Sequence, residues 1–81
     1  MINLQETLTN IAKAIVDTPD EVKVTKTEDD HAITLTLTVA PDDMGMVIGR
    51  HGKIAKAIRT VIKAASVNTG KKVSVDIVDA Q

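Results

Sequence analysis

Seven consecutive residues, Ile33-Thr34-Leu35-Thr36-Leu37-Thr38-Val39, alternate strictly between aliphatic and threonine side chains. No other feature of the chain restricts its fold as tightly. Successive side chains of an extended strand point to opposite faces, so this run buries one face and leaves the other in water. Its β-branched residues suit a pleated surface. The segment 32–40 is therefore expected to be a strand in a sheet covered on one side only.

The flanking segments supply the cover. Leu4, Leu8, Ile11 and Ile15 recur at helical spacing, with Ala12 and Val16 widening the stripe, which predicts a helix over 3–17. Asn3 followed three residues later by Glu6 is a capping-box pattern, and Asp17-Thr18-Pro19 supplies the stop. Val22 and Val24 alternate with Lys23 and Thr25, giving a strand over 22–28 that turns back through Glu28-Asp29-Asp30 into 32–40 as an antiparallel hairpin. After Pro41 the period becomes helical again. Asp42 or Asp43 is placed to cap a short turn from Met44 to Ile48, in which Val47 and Ile48 anchor the end in the core. A longer helix is expected from Lys53 to Val67, with Ile54, Ile58, Val61, Ile62 and Ala65 along one stripe. Gly70 is placed for a positive φ after it. Val73, Val75 and Ile77 then alternate with polar residues as a closing strand over 72–78.

The order is α-β-β-α-α-β. A helical crossover between the strands at 32–40 and 72–78 makes them parallel and the connection right-handed. The fold class is α+β, a three-stranded mixed sheet with all helices on one face. At 81 residues the chain is expected to form one domain over 1–81 with a thin core. There is no Cys, hence no disulfide and no thiolate metal site. Residues Met1 to Glu6 lack the pattern of a signal peptide and no run of 18 apolar residues occurs, so a cytoplasmic location is expected.

A net charge of −1 conceals a sharp segregation. Residues 1–43 carry three Lys against nine Asp or Glu, whereas residues 44–75 carry seven cations and no acid. Such a division suits a basic face presented to an anion. At its start stands Met46-Val47-Ile48-Gly49-Arg50-His51-Gly52-Lys53. Two glycines permit a sharp turn and close backbone approach, and the helix that follows points its unpaired amides and positive dipole end at the loop. Arg50, His51 and Lys53 add donors and charge there, the makings of a phosphate site. A bare GxxG is weak evidence; its place between two helical segments that bridge two parallel strands makes it specific. Ile54 and Val47 stand where a Walker A motif needs Ser or Thr and its first Gly, and the glycine spacing is wrong for a dinucleotide fingerprint.

With Ile58 further along the helix, this loop resembles the signature of the KH domain, and the element order resembles its type II form. The whole chain is similar to the KhpA (YlqC) family of stand-alone bacterial KH proteins. The resemblance implies a GxxG loop that clamps about four nucleotides of single-stranded RNA. It further implies a homodimer, a heterodimer with KhpB (Jag), and links to cell-envelope growth. One departure is Ala55, where the signature usually has a large aliphatic residue; Ile54 stands beside it. The residues read as contacting RNA are Ile48, Gly49, Arg50, His51, Gly52, Lys53 and Lys56.

For Lys56, Arg59 and Lys63 two readings stay open, a rail of cations along RNA and a plain solvated face. Ile48 is likewise open between core and groove, and His31 reads as surface. With two His, no Cys and no HxxxH spacing, neither metal nor cofactor is expected, and no catalytic constellation is present. The absence of aromatic residues excludes the stacking surfaces of RRM, OB and cold-shock modules, and implies weak binding per copy. Weak binding makes a second copy valuable, with Ala57, Ala64 and Val67 or the threonine face as candidate dimer surfaces. The expected function is a non-enzymatic RNA binder, a chaperone or post-transcriptional regulator. The alternative is a protein–protein dimerisation module in which RNA contact is incidental.

Overall fold

In the computed structural model, which describes residues 3–80, the alternation of the central strand is kept to the residue. Strand β2 (Ala32–Val39) buries Ile33, Leu35, Leu37 and Val39 and leaves the residues between them only partly covered. Strand β1 (Lys23–Glu28) pairs with it antiparallel, Lys23 opposite Thr38 and Glu28 opposite Ile33. Strand β3 (Lys72–Asp79) pairs with its other edge in parallel, Ala32 opposite Lys72 and Val39 opposite Asp79. The sheet order is therefore β1-β2-β3, and β3 has a free edge.

Helices α1 (Leu4–Ile15), α2 (Met44–Ile48) and α3 (Lys53–Ala65) pack on the aliphatic side of this sheet. Leu8, Leu35, Leu37, Val39, Val47 and Ile62 are fully buried between the layers. Helix α1 starts where expected, the Asn3 carboxamide oxygen accepting from the Glu6 amide at 3.1 Å. It ends two residues early: Val16 is already extended but buried, and Pro19 opens a 3-10 turn over Pro19–Glu21. Helix α3 likewise stops at Ala65, a 3-10 turn over Val67–Thr69 follows, and Gly70 takes a φ of +70°. Among the described residues, no helix is long and apolar enough to cross a membrane.

Two expectations are corrected here. Neither Asp42 nor Asp43 caps α2 with its side chain. Asp43 is instead 2% exposed, and its Oδ2 accepts from the Thr18 amide at 3.0 Å, tying the loop after α1 to the start of α2. A buried carboxylate has to be paired in this way. The stripe on α3 also splits. Ala55, Ile58 and Ile62 are buried, whereas Ile54 and Val61 are 37% and 48% exposed. At 3.6 residues per turn those two sit on the shoulder of the buried line, beyond the reach of the sheet.

In the hairpin turn, Asp29 Oδ1 accepts from the amides of His31 and Ala32, both at 2.7 Å. Those two hydrogen bonds hold its carboxyl below the ordinary aspartate range. A carboxylate lowered in the folded state stabilises it above the unfolded value of about 3.9, and that contribution is lost as pH falls through the folded value. Urea titrations from pH 6 down to pH 2.5 should therefore show Asp29→Ala losing less stability on acidification than the parent chain. Core burial makes the second prediction. Leu37→Ala should cost about 2–5 kcal/mol in urea denaturation, against about 0.5 kcal/mol or less for its neighbour Thr36→Ala.

Candidate nucleic-acid interface

Gly49 closes α2, its amide donating to the Gly45 carbonyl at 2.9 Å, and then turns the chain with φ +74°. Arg50–Gly52 form a single 3-10 turn in which His51 takes φ +58° and Gly52 φ +73°. A left-handed histidine is uncommon and strained, and such residues cluster where a loop does work on a ligand. The two glycines serve different needs. A Cβ on Gly49 would lie 2.6 Å from Ile54 Cγ1, so this position is closed by contact as well as by φ. Nothing lies within 4 Å of a Cβ on Gly52, where only the backbone conformation matters.

The amides at the helix start are not all free, contrary to the simple expectation. Gly52 N–H donates to the Gly49 carbonyl at 3.2 Å and Lys53 N–H to the Arg50 carbonyl. Within the loop, the amides of Arg50 and His51 find no acceptor among the described residues. No side chain caps α3, so its positive end is open beside them.

Helix α3 carries three stripes, each at i, i+3 and i+7. Ala55, Ile58 and Ile62 form the buried one. Lys56, Arg59 and Lys63 form a basic flank on one side, and Ile54, Ala57 and Val61 an apolar flank on the other. Among the described residues the ion pairs join Glu28 to Lys26 and to Lys71, so the cations of this flank and Arg50 have no carboxylate partner.

The basic flank faces the free edge of the sheet. Arg59 and Lys63 line a cleft of about 310 Å³ with Val73, Ser74, Val75 and Asp76. The amides of Lys72 and Ala80 donate to His31 and Val39 carbonyls at 3.0 and 2.8 Å, so even-numbered residues of β3 turn their backbone toward β2. By alternation, the N–H and C=O groups of Val73, Val75 and Ile77 face outward along the edge. Arg59 Nε donates to the Val75 carbonyl at 3.2 Å. The apolar flank faces the other way, where it lines a groove of about 410 Å³ with Ile11, Ile15 and Ile58.

The sequence-derived residues therefore come together in part. Gly49, Arg50, His51 and Gly52 form the loop, and Lys56 stands on the basic flank with Arg59 and Lys63. Lys53 instead borders the apolar groove. Ile48 is 38% exposed rather than anchored; Val47 alone holds the end of α2 in the core. Ala55 is buried, and Ile54 does not stand in for it, since it packs on Gly49 and the apolar groove. Among the described residues no group of three His, Asp or Glu side chains converges as a metal site. No residue pattern marks the free edge of β3; it follows from the parallel pairing of a third strand onto β2.

A mixed β1-β2-β3 sheet with helices on one face, and a glycine-bounded loop between α2 and α3, define a type II KH domain. A family model described as "KhpA/KhpB, KH domain" matches residues 5–77, and the chain belongs to that family, a non-enzymatic one. It is 55% identical over 75 residues to an "RNA-binding protein KhpA" of Clostridium acetobutylicum, covering 93% of this chain and 100% of that protein. It is 49% identical over 75 residues to the protein of that name from Clostridium perfringens, with the same coverage. With that from Halalkalibacterium halodurans it shares 47% over 70 residues, 86% of this chain and 92% of the other.

The loop geometry makes a prediction that sequence alone does not. Gly52→Ala should cost roughly the 1–2 kcal/mol of a left-handed alanine. Gly49→Ala should cost clearly more, because Ile54 must also move. Equal losses in thermal melts would contradict the contact between Gly49 and Ile54.

Proposed function

We propose that this protein binds single-stranded RNA, gripping the sugar-phosphate backbone with the loop Gly49–Gly52 and guiding the strand along the cleft between α3 and β3. The observation that carries this reading is the pair of unengaged amides at Arg50 and His51, beside the open end of α3 and continuous with unpaired cations. Backbone N–H groups at a helix start bind phosphate without regard to sequence. Arg50, His51 and Lys56 hold the anion, Lys53 adds charge from the groove side of the loop, Ile48 contacts the strand beside the loop, and Gly49 and Gly52 let it approach. The relatives' names point the same way. Without aromatic residues to stack bases, each copy binds weakly and broadly, which suits an RNA chaperone or a post-transcriptional regulator.

A dimer compensates for weak single sites through avidity. We assign the dimer surface to the apolar flank of α3 and the facing side of α1. Ile54 and Val61 are exposed there, and Ala57 and Ala64 allow a second helix to approach closely. The same face serves for a homodimer or for a heterodimer with KhpB, the other member in the family description. It lies on the opposite shoulder of α3 from the basic flank, so both copies keep their clefts open.

Two experiments test these assignments. Fluorescence anisotropy of a labelled RNA octamer should give log K falling against log salt with a slope of about −2 to −3.5, for three to five phosphates neutralised. Gly52→Asp leaves the fold intact, since aspartate tolerates the left-handed region and meets nothing there, and should abolish binding. Undiminished binding by this variant would refute the loop as the grip. For the dimer, Val61→Glu should shift sedimentation from dimer to monomer while retaining helical content; an unchanged dimer would place the interface elsewhere.

A further inference from the structure

Among the described residues His51 alone takes a positive φ without being glycine, at +58°. It stands in the middle of the turn that joins α2 to α3, and it is exposed there. Its amide finds no acceptor among the described residues. An anion taken up by that amide therefore lies within reach of the imidazole of the same residue. The surroundings of the imidazole are of one sign. Helices α2 and α3 pack against the turn. Met44–Ile48 carries no titratable side chain, the turn itself adds Arg50, and the first two turns of α3 carry Lys53, Lys56 and Arg59. No Asp or Glu occurs between Met44 and Val75. Among the described residues no carboxylate lies within ion-pair distance of His51.

We infer that His51 makes the grip on RNA pH-sensitive, affinity rising as its imidazole takes up a proton beside the bound phosphate. The inference rests on the RNA-binding reading above and adds a regulation to it. The sign comes from the charges. Only cations face the imidazole in the free protein, so nothing there rewards a further positive charge. A phosphate on the His51 amide supplies the missing anion and favours the protonated ring, which answers with a charge-assisted hydrogen bond. Proton and phosphate then raise each other's affinity by the same factor. Histidine is the side chain that changes charge between about pH 5 and 8, whereas Arg50, Lys53 and Lys56 stay cationic throughout that range. His31, the other histidine, sits in the hairpin turn before β2, where its amide donates to Asp29 Oδ1.

The test is the anisotropy of a uridylate octamer that carries a pH-insensitive dye and no terminal phosphate, so that the RNA itself does not titrate between the two pH values compared. The parent chain should bind about three- to tenfold more tightly at about pH 5.5 than at about pH 8, the size of one exposed charged hydrogen bond. The salt slope should steepen by about 0.7 on acidification, for one further charge neutralised on a single strand. His51→Asn, which tolerates the left-handed region, should lose both differences. His51→Lys, charged at either pH, should bind equally at both and keep the steeper slope at the higher one. His31→Asn should behave as the parent chain. Circular dichroism at both pH values checks that the variants fold. A pH dependence that survives in His51→Asn, or that His31→Asn abolishes, would overturn the inference. Equal binding by the parent chain at both pH values, abolished by Gly52→Asp, would overturn the role of the His51 proton and leave the loop's role standing. No binding by the parent chain at either pH would overturn both.

Discussion

The parallel pairing of β2 with β3 is the constraint on which the rest of this molecule depends. Parallel neighbours cannot be joined by a tight turn, so the chain has to cross over the sheet between Val39 and Lys72. Everything assigned to RNA contact lies on or beside that crossover: α2, the glycine loop and α3. The same pairing leaves β3 with one free edge, and the returning helix lays its basic flank along it. A cationic cleft of this kind needs no dedicated element. It is the seam that a helical crossover leaves beside an edge strand.

Helix α3 resolves three demands within 13 residues. Its buried stripe is Ala55, Ile58 and Ile62, of which Ile58 and Ile62 join the core over the sheet. The two shoulders, left by the geometry of 3.6 residues per turn, are then free to differ. One is cationic and faces the edge of β3, the other aliphatic and faces α1. A short domain with a thin core thereby keeps an exposed apolar shoulder apart from its cationic one.

Much of this was legible in the residues. The Ile33 to Val39 alternation predicts burial at every second position, and each of those four side chains is buried. Element order, the hairpin, the parallel partner and the positive φ of Gly70 followed from spacing and turn chemistry. What periodicity could not resolve was the width of a stripe. Ile54 and Val61 read as core because hydrophobic spacing marks a face, not how far the sheet reaches across it. Asp43 read as a helix cap because its residue type favours that role. Its actual partner, the Thr18 amide, is 25 residues away and leaves no local signal. The loop's glycines were evident, but which amides stay unengaged depends on φ values that no pattern encodes. His51 is left-handed without being glycine, and the edge contact of Arg59 is a tertiary meeting.

The central claim is that single-stranded RNA lies across the loop and along the seam between α3 and β3. Its most direct measurement is a backbone amide titration by two-dimensional NMR with a short unlabelled RNA. The expected result is that shifts are largest at the amides of Arg50 and His51 and at the outward amides of Val73, Val75 and Ile77. Ser74 and Asp76, whose amides face β2, should move less, as should Ile11 and Ile15 on the apolar groove. Shifts concentrated on α1 or on the threonine face of the sheet, with the loop amides unmoved, would contradict it.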